Sequence, residues 1–131
     1  MKPREIILDS GTKILLGRNS ESNDELVERY KGKANMIFHT AKPGSPFCII
    51  DKINPKPTKQ EINLSAIICA SKSQDWRDNK GDVNVHQFTG KEVYKEKSMK
   101  SGTWGLNKKP KIIKVKKRKI EEYIEKNKTE E

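Results

Sequence analysis

The sequence predicts an α+β domain: a mostly antiparallel sheet built from hairpins, packed by one central helix, with short flanking helices. Three observations predict it. Short apolar runs come in pairs joined by turn residues, the pattern of antiparallel hairpins. One helical stripe, through Ile62, Ala66 and Cys69 with Leu64, Ile67 and Ile68 beside them, is wide enough to cover a sheet. At 131 residues the chain is long enough to bury a real core without disulfides.

Residues 5–9 and 13–16 flank Ser10-Gly11-Thr12 as the first hairpin, and Gly17-Arg18-Asn19-Ser20 ends it. Ser22-Asn23-Asp24-Glu25 has the S-x-x-E spacing of a capping box, predicting a short helix with Leu26, Val27 and Tyr30 on one face and its end near Gly32. Residues 36–40 and 47–51 read as a second strand pair joined across Pro43-Gly44. After Asn54-Pro55-Lys56-Pro57, the Thr58-x-x-Glu61 spacing opens the central helix, which ends near Ser73. Residues 74–82, with Trp76, read as a polar connection. Val83-Asn84-Val85 alternates as a strand, and 111–117 is the last strand. From Arg118, a short amphipathic helix with Ile120, Tyr123 and Ile124 frays into 126–131. The expected organisation is a domain over 1–117 and a C-terminal helix and charged tail over 118–131.

No run approaches the roughly 18 apolar residues of a membrane span, and no long apolar region follows Met1-Lys2-Pro3-Arg4-Glu5 as in a secretory signal. The expectation is a cytoplasmic protein with no membrane partner. Cys48 and Cys69 each sit in an apolar run outside any C-x-x-C pair, so both read as core rather than as metal ligands or a redox dithiol.

The net charge of +10 is unevenly placed. Residues 91–119 hold 12 Lys and Arg against two acids, whereas residues 1–90 hold 14 against 11. Such a block concentrates polyanions and releases their counterions. It also contains Val93, Tyr94, Ile112, Ile113 and Val115, so part of it should fold, and Trp104 stands near Gly102 and Gly105, which would let the backbone approach a ligand. In an extended segment Lys91, Lys95 and Lys97 share one face, as do Lys114, Lys116 and Arg118 on the final strand. Two such rows on neighbouring strands would form a stripe suited to a sugar-phosphate backbone, with Tyr94, Trp104 and Trp76 available for stacking. A solvated basic face is the alternative for the same residues.

Catalytic patterns are missing. His39 and His86 are the only histidines, and His39 ends an apparent strand with no orienting partner in the pattern. There is no H-E-x-x-H, no evident catalytic carboxylate pair and no G-x-S-x-G. Asp24 and Glu25 fit first-turn carboxylates favoured by a helix dipole, and Gly17 has no phosphate-loop pattern around it. No catalytic residue, metal or cofactor is expected.

Gly17-Arg18-Asn19, Asn23-Asp24-Glu25-Leu26, Phe38-His39, Pro43-Gly44-Ser45, Val83-Asn84-Val85 and Lys100-x-Gly102 follow one another in an order and spacing that resembles the NFACT-R family of RNA-binding domains. Members form the C-terminal part of tRNA-binding factors of ribosome-associated quality control and of fibronectin-binding-A-like proteins, or stand alone. The resemblance implies RNA as partner, either tRNA or ribosomal RNA, with the ribosome beyond it. It also places Arg18, Asn19, Asp24 and His39 at a shared surface. The chain departs from the family pattern at Ile37, Pro46, Gln87 and Ser101, where an aromatic, a histidine, a tyrosine and a proline are usual. It lacks the large N-terminal module and the coiled coil, and so reads as a module or a stand-alone relative.

Charge and resemblance together give the expected function: a non-catalytic RNA-binding domain. Lys91, Lys95, Lys97, Lys100, Lys109 and Lys114 are expected to hold phosphates, with Arg18 as a bidentate partner and Asn19 and His39 at the same surface. The alternatives are a DNA-binding module, or a protein-interaction module docking an acidic partner through residues 118–126.

Overall fold

A computed structural model describes residues 2–128. The strands are β1 (Arg4–Ile7), β2 (Lys13–Leu16), β3 (Met36–Thr40), β4 (Cys48–Ile50), β5 (Val83–Thr89), β6 (Val93–Tyr94), β7 (Gly105–Leu106) and β8 (Lys111–Val115). The helices are α1 (Ser20–Tyr30), α2 (Lys59–Ser71), α3 (Gln74–Asn79) and α4 (Lys117–Asn127). Six strands form one sheet in the order β1-β2-β4-β3-β5-β8, with every neighbouring pair antiparallel. β6 and β7 pair apart as a short ribbon. The α+β class and the hairpin-built sheet expected from the sequence are both present.

Strand side chains alternate between faces, so the sheet carries a core on each side. Phe38, Leu16, Val83 and Val85 meet Ala66, Ile68 and Cys69 of α2 and Ile120 of α4. On the opposite face Ile37, Ile49 and Phe88 meet Leu26, Val27 and Tyr30 of α1, with Val93 and Leu106 of the ribbon. Cys48 and Cys69 are buried free thiols, as expected, and burial with the neighbouring Cys69 thiol pushes Cys48 well above the ordinary thiol range. Among the described residues no helix is long and apolar enough to cross a membrane.

Several local expectations need correction. α1 starts ahead of the predicted cap: Asn19 is the N-cap, its Oδ1 accepting from the Ser22 amide at 2.9 Å. Ser22 is the reciprocal partner, its Oγ accepting from the amides of Asn19 and Arg18 at 3.0 and 2.7 Å. The box is therefore N-x-x-S, three residues ahead of the S-x-x-E read from the sequence. α2 begins where predicted, with Thr58 and Glu61 capping reciprocally. It stops at Ser71, because Ser73 caps a further helix by accepting the Trp76 amide at 3.1 Å. The polar connection over 74–82 thus contains α3, and Trp76 is core rather than a stacking surface.

The basic block departs furthest. Extended pairing from Lys91 to Lys97 does not form, because β6 is two residues long and pairs with β7, not β8. The two lysine rows consequently do not lie on neighbouring strands. The last strand ends at Val115, which puts Arg118 on α4 instead of in a row with Lys114. α4 is helical through Asn127; of the expected fray over 126–131, residues 129–131 lie outside the described residues.

Candidate nucleic-acid interface

α1 and the β6–β7 ribbon cover only part of their face of the sheet. The remainder is the floor of an open concavity of about 900 Å³. His39 of β3 and His86 of β5 are register partners and lie side by side on this floor. The His39 ring lies 4.4 Å from that of Phe47, which in turn meets Phe88 edge-on at 6.4 Å. The His39 Nδ1 is 2.8 Å from the Thr40 carbonyl, which can only accept. Nδ1 therefore carries the proton, and Nε2 is an acceptor in the neutral ring. Burial lowers the pKa of both histidines, and at His39 it outweighs the opposing Thr40 hydrogen bond, with His86 lowering it further. The floor is aromatic, and burial favours the neutral form of both imidazoles.

Three walls rise around it. The first is the start of α1, clamped to Phe47 just ahead of β4: Asn23 Oδ1 accepts from the Phe47 amide at 3.0 Å, and the Gly17 amide donates to the Phe47 carbonyl at 3.2 Å. Gly17 is required here, since a Cβ would stand 1.8 Å from the Asn23 Oδ1. The second wall is the 41–46 loop, held where Ser45 Oγ accepts from the Thr40 amide at 3.1 Å and the Gly44 carbonyl accepts from the Gln74 amide at 2.7 Å.

The third wall, residues 101–104, hangs on Asp24. Its carboxylate accepts from the Gly102 amide and the Trp104 Nε1, both at 2.9 Å, from Ser101 Oγ at 3.1 Å and from Lys95 Nζ at 3.4 Å. Burial raises the Asp24 pKa, but these donors outweigh it and the net shift is downward. Lys95 Nζ also donates to the carbonyls of Lys100 at 2.7 Å and Thr103 at 2.6 Å, and stands 5.4 Å from the Trp104 ring centre. Lys95 is thereby turned against the 100–103 backbone and not held in an extended row with Lys91 and Lys97. The glycines near Trp104 serve packing rather than ligand approach: a Cβ on Gly102 would meet Ser20, and one on Gly105 would meet the Tyr94 ring. Asp24, expected as a first-turn carboxylate, is the anchor of a loop nearly 80 residues away in sequence.

Arg18, Asn19 and His39, the expected site residues from the N-terminal half, all line the concavity. The expected lysines do not. Lys91, Lys97, Lys100, Lys109 and Lys114 are exposed and outside its lining, and Lys95 is engaged within the chain. Lys114 nevertheless shares the sheet face of His86, because it pairs with Asn84 two residues along β5. Sequence reasoning missed His86, Lys72 and Arg77 as lining residues. His86 was readable in principle: continuing the Val83-Asn84-Val85 alternation turns it to the face opposite the valines. Lys72 and Arg77 reach the rim only through the packing of α2 and α3.

The cationic lining side chains are Arg4, Arg18, Lys72 and Arg77, and no Asp or Glu accompanies them. Among the described residues no three His, Cys, Asp or Glu side chains gather as a metal-binding group. Fold and site together define an α+β binding module, with an aromatic floor under a cationic rim. The chain belongs to the family of the NFACT protein RNA-binding domain, whose model matches residues 4–108. Its fold is also similar to the C-terminal part of the fibronectin/fibrinogen-binding protein from Streptococcus suis. That match has a TM-score of 0.78 at 25% identity and covers 93% of this chain and 49% of that one, so the chain spans about half of its structural relative. No match was found among curated proteins.

Proposed function

We propose that this domain binds RNA without catalysis, with tRNA or ribosomal RNA as its partner and the ribosome as the setting. Lys91, Lys97, Lys100, Lys109 and Lys114 hold phosphates from outside the concavity, and Arg18, Asn19 and His39 present its rim and floor. Lys95 acts from within, keeping the 101–104 wall in place. The observation that carries the reading is a concavity lined by four cationic side chains and no carboxylate, in a chain of an RNA-binding family. Phosphate contacts of this kind position a nucleic acid and confer little sequence preference.

The test is binding of a labelled tRNA across a salt series, with a DNA duplex of similar length as competitor. Affinity should fall steeply with salt, and tRNA should outcompete the duplex. Reversing the charges at Lys97, Lys100, Lys109 and Lys114 together should reduce the salt slope by about 0.7–0.9 for each phosphate the variant no longer neutralises. Lys95 is left intact because its loss would disturb the loop. Absence of binding at low salt, or an unchanged slope in the reversed variant, overturns the reading. Stronger competition by the duplex would favour DNA as the partner.

A further inference from the structure

We infer that the concavity is a subsite for an unpaired nucleotide, its base seated on the His39–His86 floor and its phosphate at the Arg18–Arg77 rim. The inference rests on the RNA-binding reading and specifies which form of RNA the site selects.

The floor is suited to a base because it is built of aromatic rings, two imidazoles beside Phe47 and Phe88, and no carboxylate lines it. His39 and His86 are cross-strand neighbours, and Phe47 backs His39 at 4.4 Å. Their burial favours the neutral rings. Across the next strand, Ile112 is the register partner of His86 and is 56% exposed. It lies outside the lining of the concavity but on the same sheet face, where Lys114 follows along β8.

The shape favours one or two extruded nucleotides over a helix. A volume of about 900 Å³ bounded by three walls falls in the range of small-molecule pockets. In a duplex the base faces are hidden in the stack, and only an unpaired or flipped nucleotide can enter such a space. The rim chemistry fits the remainder of the nucleotide, since no carboxylate lines the concavity beside Arg4, Arg18, Lys72 and Arg77 to repel a phosphate. The Asp24 anchor completes the argument. It holds Trp104 at the edge of the concavity through the indole N–H, so the wall is organised before any ligand arrives.

The experiment compares three RNA hairpins of identical stem: blunt, with a three-nucleotide 3′ overhang, and with the same overhang made abasic. The protein should bind the overhang hairpin about tenfold tighter than the blunt one, the scale of one stacked base. The abasic overhang, which keeps the phosphates, should fall near the blunt value. His86→Ala should shrink the tenfold difference to less than about threefold while blunt-hairpin binding persists. A readout that needs no variant accompanies it: the imidazole resonances of His39 and His86 should shift with the overhang hairpin and stay unmoved by the blunt one. Equal affinity for the blunt and overhang hairpins, or an abasic overhang as good as the intact one, would sink the subsite and leave phosphate binding standing. No binding to any hairpin at low salt would instead overturn the RNA reading itself.

Discussion

Glu61 illustrates how much one buried side chain determines here. It is the capping partner of Thr58 at the start of α2, and it also receives the hydroxyls of Thr12 and Ser10 from the first hairpin turn and the ammonium of Lys52. These donors, Thr12 foremost, hold its carboxyl far below the usual value of 4.5. A carboxylate depressed in the folded state stabilises fully above its unfolded value, and that stability drains away as pH falls below it. The thermal unfolding midpoint should therefore drop between about pH 5 and pH 3. Glu61→Gln, which cannot titrate, should flatten this dependence and cost about 2–4 kcal/mol near neutrality by leaving the lysine and hydroxyls poorly matched. Calorimetry of both proteins over that pH range checks it; parallel curves would mean other carboxylates dominate. The capping half of this role could be read from the Thr58-x-x-Glu61 spacing, but the link to Thr12 could not.

Among the elements, the loop over 95–104 holds no strand or helix and is tied to a distant partner. It has no core of its own beyond Trp104 and the two-residue strands, so its shape follows from Asp24. Asp24→Asn keeps the size of the side chain but turns an NH₂ toward some of the same donors. Losing one or two of these bonds is worth about 1–3 kcal/mol locally, so amide exchange at Gly102 should quicken by roughly ten- to a hundredfold. The midpoint of global unfolding should move little, because α1 is held by Leu26 and Val27 in the core. Unchanged exchange at Gly102 would show that the loop is held by packing instead. The basic composition of this segment pointed to a lysine row; the backbone carbonyls that draw Lys95 inward leave no trace in composition.

At the scale of the whole molecule, the sheet is sandwiched, and α4 belongs to that construction. Ile120 is fully buried in the core shared by α2 and the sheet. Ile120→Ala should destabilise the protein by about 2–5 kcal/mol, measured by denaturant unfolding; a loss below about 1 kcal/mol, roughly the cost of an exposed truncation, would place α4 outside the cooperative unit. Features governed by neighbouring residues were legible from the chain alone. The hairpins, the Pro43-Gly44 turn, the start and the apolar stripe of α2 and the two core cysteines all follow from turn chemistry, capping and periodicity, which act within a few residues. Of the residues that the family resemblance placed at one surface, Arg18, Asn19 and His39 line the concavity while Asp24 stands outside its lining as a loop anchor. What required the tertiary structure was every pairing across large separations. His86 supplies the second imidazole beside His39 through strand register, Asp24 holds Trp104 through a helix–loop contact, and Lys95 is withdrawn from the surface by carbonyls it meets only after folding. Periodicity decides which face a residue takes; only the packed chain decides which residues meet there, since that depends on strand order and on the burial of groups far apart in sequence.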